Sequence, residues 1–492
     1  MDEQSAIRQE KLKKLQEAGI DPYPYSFART RPLRELIAAY GAQNAADLEK
    51  VSEEFTIAGR LIAIRDMGKS AFAHLFDGEE KMQIYIRRDR VSEKTYALYK
   101  LLDIGDIVGA VGRIFKTHSG ELTLLLSELT LLVKSLHPLP EKWHGLQDVE
   151  LRFRQRYLDL IMNEKTRRIF RLRSRFVQKV RAFFHEKGYV EVETPMMHPI
   201  PGGAAARPFV THHNALNNDF YLRIAPELYL KKLLVGGMEK VFELNRNFRN
   251  EGIDMMHNPE FTMLEFYELY RDYEDYIRLT EELFAFLNAE FAPNGEITFR
   301  DQKISVKPPF PRVRFMDALA AASGWPEEAL WDEKALAPLI RDHLSDDGLP
   351  PTYGKMLELA FDRYVEDRIV NPTFITDYPL ALSPLSKQSR RDDRETERFE
   401  LIIAGMEVAN GFSELNDPAE QRRRFEAQAR NREKGDEEAL LVDHGFLKAL
   451  EHGMAPAAGE GIGIDRLIML YADAPSIKEV ILFPLLKPKN EV

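Results

Sequence analysis

Between Lys240 and Tyr270 the chain reads KVFELNRNFRNEGIDMMHNPEFTMLEFYELY, with residues of complementary chemistry at alternate positions. Side chains two apart share one face of a strand, at steps of about 6.5–7 Å. One strand therefore sets Glu243, Asn245, Asn247 and Arg249 on one face and Phe242, Leu244 and Phe248 on the other. A second strand carries Phe261, Met263, Glu265 and Tyr267 together. Glu251-Gly252 and His257-Asn258-Pro259 supply turn chemistry between them. A guanidinium among amides suits an oxyanion, and a carboxylate beside a phenol suits an ammonium. The rows leave room for a nucleotide at one end and a small cationic substrate at the other. A merely solvated face would favour Lys, Thr and Glu over an arginine ringed by asparagines.

The elements that position these residues belong to a long chain. Its 492 residues suffice for two or three domains, and 44% hydrophobic and 30% charged content are ordinary for a globular protein. No apolar run is long enough to span a membrane, and the opening MDEQSAIRQEKLKKLQ is too charged for a secretory signal. A cytoplasmic protein with no membrane partner is expected. The absence of cysteine excludes disulfides, thiolate-bound zinc and thiol nucleophiles. A net charge of −11 confines any nucleic-acid contact to local basic surface and specific pockets.

Residues 1–50 read as a helical extension: a helix ending near Gly19, a linker at Pro22 and Pro24, then a second helix. Lys11, Lys13 and Lys14 suit either a solvated helix end or a polyanion. Residues 51–140 hold five short strands with glycine turns, and a helix over Ser92–Leu102 separates the third from the fourth. That pattern predicts an OB-fold barrel, a frame for binding single-stranded nucleic acid on aromatic rings. Residues 141–166 form a proline-marked linker with the basic run Arg152, Arg154 and Arg156. Phe170, Val177, Val180 and Phe184 mark an amphipathic helix that Gly188 ends, before the strand YVEVET and Pro195. IPGGAAARPF is a loop of small residues able to close tightly over a ligand. His212-His213 lack partners at metal-ligand spacing. Glu227 falls in the first turn of a helix that stops at Gly236-Gly237, where dipole compensation alone accounts for an acid. Residues 271–380 read as mostly helical, an insertion over about 310–380 with no catalytic constellation, and KQSRRDDRETER after it as a charged, mobile loop.

In FELIIAGMEVANGFSELND, Asn410, Phe412 and Glu414 share a strand face, but Glu407 has the opposite parity. One pocket for all of them requires a bulge, at Gly411 or the Ala409-Asn410 step. In AAGEGIGIDRLIML, Gly459, Gly461 and Gly463 leave one strand face bare before a helix carrying Asp465 and Arg466. The order is not that of a dinucleotide-binding fingerprint.

FRNEG followed by HNPEFTMLEFY resembles motif 2 of the class II aminoacyl-tRNA synthetases, in the form carried by the bacterial lysine-specific family. The helix–strand–proline unit is similar to motif 1 of that class, and the glycine strand with its helix to motif 3. The resemblance covers almost the whole chain. It implies an α+β, multidomain protein: an N-terminal OB-fold that reads the anticodon, and a class II catalytic domain over 167–492 built on an antiparallel sheet. It implies Arg249 on the α-phosphate and the substrate carboxylate, and Arg466 on the γ-phosphate. Phe261 would stack adenine against Arg466, with Glu251 near the adenine amine and His257 near the phosphates. Glu400 and Glu407 would carry Mg2+. Glu227, Glu265, Tyr267, Asn410, Phe412 and Glu414 would surround the amino acid, and Phe72, Gln83 and Glu121 would read the middle anticodon base. The small-residue loop would order over the amino acid, and motif 1 would make a homodimer. Glu460 stands where relatives often carry an apolar residue, and it should point away from the glycine face.

The implied reaction joins an amino acid to ATP as an adenylate and then to the 3′ end of a tRNA. It needs no protein nucleophile. A pocket of Glu227, Glu265, Glu414 and Tyr267 is satisfied by a diammonium side chain and repels an acidic one. L-lysine and tRNA(Lys) are therefore favoured over the substrates of an aspartyl- or asparaginyl-type enzyme. A lysylating paralogue acting on protein would lack the barrel. A non-catalytic OB-fold nucleic-acid-binding protein with a relic synthetase core would have lost Arg249, Arg466, Glu400 or Glu407, and all four are present.

Overall fold

The structure, a computed structural model, describes residues 3–140, 146–344, 349–436 and 438–488. The chain forms two compact units, residues 1–152 with 157–163, and residues 153–156 with 164–492. Part of the expected linker, 141–145, lies outside the described residues; the rest includes short helices at Val149–Arg154 and Arg156–Met162.

In the first unit, strands β1 (Phe55–Asp66), β2 (Ser70–Phe76), β3 (Lys81–Arg87), β4 (Ile107–Lys116) and β5 (Leu122–Val133) close a barrel in the order β1-β2-β3-β5-β4. Helix α1 (Glu93–Leu101) sits between β3 and β4 in sequence, as expected, and Ser92 caps it. Leu15, Leu33, Leu36 and Leu48 of the N-terminal extension share the barrel's core with Ile57, Leu75, Ile84 and Leu124. The extension is thus packed as part of this unit. Lys11 pairs with Asp103 at 2.6 Å and Lys14 with Glu10 at 2.9 Å, so two of the three N-terminal lysines have carboxylate partners.

The second unit is built on an eight-stranded sheet. Its elements in chain order are α2 (Glu164–Glu186), β6 (Val190–Glu191), α3 (Glu227–Val235), β7 (Lys240–Phe248), β8 (Glu260–Leu269), α4 (Tyr273–Phe291), β9 (Arg312–Arg314), α5 (Tyr353–Tyr364), β10 (Thr373–Thr376), β11 (Arg398–Ile403), β12 (Met406–Ser413), β13 (Ala457–Gly463) and α6 (Ile464–Ala472). The strand order is β9-β10-β11-β12-β13-β8-β7-β6. The six central strands are antiparallel, as expected, while the edge pairs β9/β10 and β6/β7 are parallel, so the sheet is mixed. The strand expected over YVEVET shrinks to two residues at this edge.

One sheet face is covered by α2, α4 and α6. Leu264 and Phe266 of β8, Ile462 of β13 and Phe242 of β7 pack there against Phe176, Phe184, Phe284 and Leu467. The buried stripe of α2 is Ile169, Phe176, Val180, Phe183 and Phe184; Phe170 and Val177 are only half-buried. Gly188 ends the chain segment after α2 at φ +82°, a conformation that favours glycine. Alternation then sends the opposite residues of the same strands to the other face, where the site lies.

The helices of the 310–380 segment share a core of their own, with Phe315, Leu319, Leu336, Ile340, Leu357 and Phe361, and strands β9 and β10 toward its ends join the main sheet. One expectation for the second unit changes. The loop after Ser386 is tied rather than mobile. Arg390 pairs with Asp272 at 2.8 Å and with Glu397, and Arg314 pairs with Glu395 at 2.6 Å.

Candidate active site

The sheet register lays the site's floor in rows. Glu400, Asn410, Gly461, Glu265 and Glu243 stand abreast on β11, β12, β13, β8 and β7. Arg398, Phe412, Gly459, Tyr267 and Val241 form the next row. Neighbouring strands are about 4.8 Å apart, so residues distant in sequence become lateral neighbours.

Glu407 joins this face through a bulge. Leu401 pairs with Ala409, but Ile402 pairs with Glu407, leaving Val408 as the extra residue. The required bulge is therefore at Val408 and not at Gly411 or Ala409-Asn410. Gly411 is glycine for another reason: a Cβ there would meet the Phe399 ring at 2.6 Å. Glu407 is held on both sides of its backbone. Glu366 accepts its N–H at 3.2 Å, and Arg466 Nη1 donates to its carbonyl at 2.5 Å.

Two cavities meet over the floor. One, of about 190 Å3, is lined by Arg249, Glu251, His257, Phe261, Glu407, Gly461, Gly463 and Arg466, among others. The other, of about 360 Å3, is lined by Glu227, Glu265, Tyr267, Glu400, Asn410 and Phe412, with Gly203, Ala204 and Ala205 of the small-residue loop. Arg249, Met263, Glu407 and Gly461 border both. Arg249 Nε is buried without a hydrogen-bond partner, a donor aimed at an acceptor the chain does not supply. Its guanidinium lies 5.2 Å from the Phe261 ring centroid. Arg466 donates to the Glu407 carbonyl and to His257 Nε2, 3.1 Å away. Because arginine only donates, His257 Nε2 accepts, and its Nδ1–H donates to Asp254 at 2.8 Å.

The larger cavity is acidic. Burial pushes the Glu265 carboxyl up to about 8, and Glu227 adds to the shift. Tyr267 donates to Glu265 at 3.3 Å, and Asn247 at 3.4 Å. Burial also raises Glu227 and lifts Glu414 well above the carboxylate range. Glu414, just past the end of β12, leaves Oε1 without a hydrogen-bond partner, as does Asn247 Oδ1. The unpaired carboxylate and amide oxygens here are acceptors, matched by an ammonium, while at the junction with the nucleotide cavity the unpaired atom is a donor, Arg249 Nε. Gly459 does not leave a bare surface as expected, because a Cβ there would collide with the Tyr267 ring and Glu414 Oε1.

Lys231 escaped the sequence reading. Its ammonium is fully buried and pairs with Glu227 at 2.6 Å and with Glu414. Burial works against its charge, but the two carboxylates more than offset that and hold its pKa above the ordinary lysine value. In sequence, Glu227 and Lys231 look like an ordinary i,i+4 surface pair. Asp465 has a structural role that its place in the sequence does not reveal. It accepts from Arg173 at 2.5 Å and from the Thr262 N–H at 2.6 Å, joining α6, α2 and β8. Glu358, Asp362 and Glu366 line the larger cavity from the segment read as bare support.

Glu400 accepts from Arg398 at 2.6 Å and from the Tyr378 hydroxyl at 2.7 Å, and burial followed by Glu407 raises it to about 7. Glu460 points to the helical face, where Thr280 bonds its carboxyl at 2.7 Å. His212 bonds Asp219 on an exposed hairpin. Among the described residues no three His, Cys, Asp or Glu side chains converge as a metal cage.

On the barrel, Phe72 is half-buried and stacks on Tyr85, with centroids 4.3 Å apart. Gln83 Nε2 and His74 Nε2 both reach Glu121, at 3.0 Å each, and Thr123 bonds Gln83 at 2.9 Å. Phe72, Gln83 and Glu121 therefore share one surface, and His74 and Tyr85 belong to it. Cross-strand pairing of Phe72 with Tyr85 and of His74 with Gln83 brings them together.

A barrel unit and a sheet with adjoining nucleotide-sized and acidic cavities define a class of protein, and comparison with known families agrees. Residues 148–487 match the family model described as tRNA synthetases class II (D, K and N), and residues 55–138 match an OB-fold nucleic acid binding domain. The chain belongs to the class II tRNA synthetases of this D, K and N family. Its similarity extends end to end to proteins named Lysine--tRNA ligase. That of Moorella thermoacetica is 51% identical over 490 residues, covering 99% of this chain and 98% of the relative. That of Pelotomaculum thermopropionicum is 48% identical, covering 100% and 96%, and that of Bacillus subtilis 46%, covering 99% and 98%.

Proposed function

We propose that this protein activates L-lysine with ATP to lysyl-adenylate and transfers the lysyl group to the 3′ end of tRNA(Lys). The observation that carries this reading is the larger cavity, with Glu227 and Glu265 in its lining, the buried Glu414 joined to Glu227 through Lys231, and Arg249 at its junction with the nucleotide cavity. An aspartate or asparagine pocket would need basic or amide groups there.

Arg249 bridges the substrate carboxylate and the α-phosphate, because one guanidinium pairs two oxyanions. A lysine carboxylate oxygen attacks the α-phosphorus. The new C–O–P link forms as the bond to the β-phosphate oxygen breaks, and pyrophosphate leaves with the electron pair. A ribose hydroxyl of the tRNA then attacks the acyl carbon, loses its proton and expels AMP. The chain's part is positioning and charge neutralisation. Phe261 stacks adenine, Glu251 accepts from its amine, and His257 and Arg466 hold phosphate oxygens. Glu265, Tyr267, Asn410, Phe412, Glu227 and Glu414 hold the amino acid, Glu265 nearer its ε-end.

Glu400 and Glu407 fit Mg2+. They are oxygen donors whose mutual repulsion a cation relieves, and a site with only two carboxylates suits an ion that takes its other ligands from phosphate and water. When bound, the ion neutralises charge on the phosphates. Phe72, Gln83 and Glu121 meet the middle anticodon base. A homodimer is supported by the exposed Val190, Met196 and Met197 near edge strand β6. No described helix is long and apolar enough to cross a membrane, which is compatible with a cytoplasmic location.

The test is amino-acid-dependent ATP–pyrophosphate exchange with lysine, aspartate and asparagine in parallel. Exchange with lysine alone, abolished by Glu265→Gln, supports the reading. Exchange with aspartate or asparagine reassigns the substrate, and no exchange with any of the three favours a binding protein with a relic core.

A further inference from the structure

Lys231 places an ammonium of the chain's own against two carboxylates of the amino-acid pocket. It is completely buried, and its charge also lies 5.3 Å from the Phe412 ring centroid and 5.9 Å from that of Phe446. An ion pair this deep is rarely favourable for stability alone, since desolvation consumes most of the attraction. Its geometry has a consequence for recognition. Glu227, Glu265 and Glu414 together bring three negative charges when ionised, and Lys231 cancels one, which leaves two. Arg249 adds a separate positive charge at the junction with the nucleotide cavity. The two other arginines near the floor are paired, Arg223 with Glu243 at 2.6 Å and Arg398 with Glu400 at 2.6 Å. Glu358, Asp362, Glu366 and Glu407 also line the cavity, but the charges that act on Lys231 are those of Glu227 and Glu414. A lysine molecule carries two ammonium groups and one carboxylate, the complement of Glu227, Glu265, Glu414, Lys231 and Arg249 taken together.

We propose that Lys231 is a specificity-determining positioning residue, a resident counter-charge that fixes the orientation of Glu227 and Glu414 and sets the pocket's unpaired charge to match a diammonium amino acid. The proposal rests on the lysine reading above and adds a residue to it. Lys231 acts through the two carboxylates; it does not need to touch the substrate. Without it, Glu227 and Glu414 repel each other and turn or protonate, and the pocket no longer presents the right count of acceptors.

The experiment is steady-state pyrophosphate exchange by the full-length protein, its Lys231→Ala variant and its Lys231→Met variant, with lysine and ATP varied separately. The native protein decides the underlying reading: absence of lysine-dependent exchange there removes the lysine assignment itself. Given native exchange, Lys231→Ala should raise the lysine KM at least tenfold and leave the ATP KM within twofold. Methylammonium should lower that KM in a dose-dependent way, because it supplies the missing cation in the vacated space; potassium chloride at equal ionic strength should not. Lys231→Met should show the same KM rise without response to methylammonium, because its side chain fills the space. An unchanged lysine KM overturns the proposal, as does rescue by potassium chloride equal to that by methylammonium. If truncation lowers the folded fraction, the same methylammonium titration followed by thermal melting and exchange still decides, since a purely steric role predicts no cation dependence.

Discussion

Glu366 accepts the backbone N–H of Glu407 at 3.2 Å, at the strand step beside the Val408 bulge. Gly405 N–H and Ala404 N–H also donate to the carbonyls of Ile369 and Val370, at 2.8 and 3.0 Å. The segment after α5 therefore holds the β11–β12 turn in the register that turns Glu407 toward the site. Replacing Glu366 with alanine frees that N–H. We expect the Mg2+ concentration for half-maximal exchange to rise by roughly 10–100-fold, the usual scale for losing a group that orients a metal ligand. Glu366→Gln keeps an acceptor oxygen and should stay within a few-fold of native. Amide hydrogen exchange at Glu407 should accelerate in the alanine variant only. Equal Mg2+ dependence in all three proteins would remove the clamp from the mechanism.

Glu265 gives lysine binding a pH dependence. Burial raises its carboxyl to about 8, so below that pH the free pocket holds it protonated and neutral. The ε-ammonium prefers the ionised form and itself titrates near 10.4. Lysine KM should therefore fall as pH rises from about 6.5 toward 8.5, while ATP KM changes little. In Glu265→Gln this slope should vanish along with most of the affinity. A slope that persists in the variant assigns the titration to another group.

The glycines of β13 should respond unequally. A Cβ on Gly459 would collide with Tyr267 and Glu414, whereas a Cβ on Gly463 would have nothing nearer than 3.7 Å. Gly459→Ala should destabilise by about 1–3 kcal/mol, the scale of an overpacked core, and raise the lysine KM. Gly463→Ala should fold normally, with any kinetic effect confined to ATP, because it borders only the nucleotide cavity. Thermal melting and the two KM values separate these outcomes.

Glu460 is a buried acid on the helical face, and burial lifts it well above its ordinary value. Below about pH 4.5 it is protonated both folded and unfolded, so it has no pH-dependent effect. Above that pH the unfolded chain releases the proton while the folded chain keeps it, and stability drops by up to about 1.4 kcal/mol per pH unit. Glu460→Gln should thus match native near pH 4 and melt progressively higher than native as pH rises to 8. A melting difference independent of pH would show that packing, not the proton, governs this position.

On the barrel, Phe72 exposes part of a ring already supported by Tyr85. Phe72→Ala should weaken tRNA binding by about 1–3 kcal/mol, the range for one stacked base, and leave tRNA-independent pyrophosphate exchange unchanged. Filter binding and exchange on the same preparation check both halves. Unaltered tRNA affinity would move the base contact elsewhere.

By itself the sequence determined what local chemistry dictates. Alternation in LEFY and in AAGEGIG fixed which side chains face the site and which face the helices, because a strand has a period of two whatever lies beside it. Five short strands with a helix after the third specified the barrel, and the parity conflict between Glu407 and Asn410 showed that a bulge was needed. The tertiary structure decided what depends on neighbours distant in sequence. It placed the bulge at Val408, where Glu366 of a different element receives the freed N–H. It turned Glu227–Lys231 from an apparent surface pair into a buried one by bringing Glu414 onto the same ammonium. It converted a charged loop into an anchored one through Asp272 and Arg314, and set the Arg249 guanidinium beside the Phe261 ring. Each of these is set by burial and by charges on separate elements. A chain read residue by residue carries their identities but not their distances, and electrostatic energy depends on distance and surroundings.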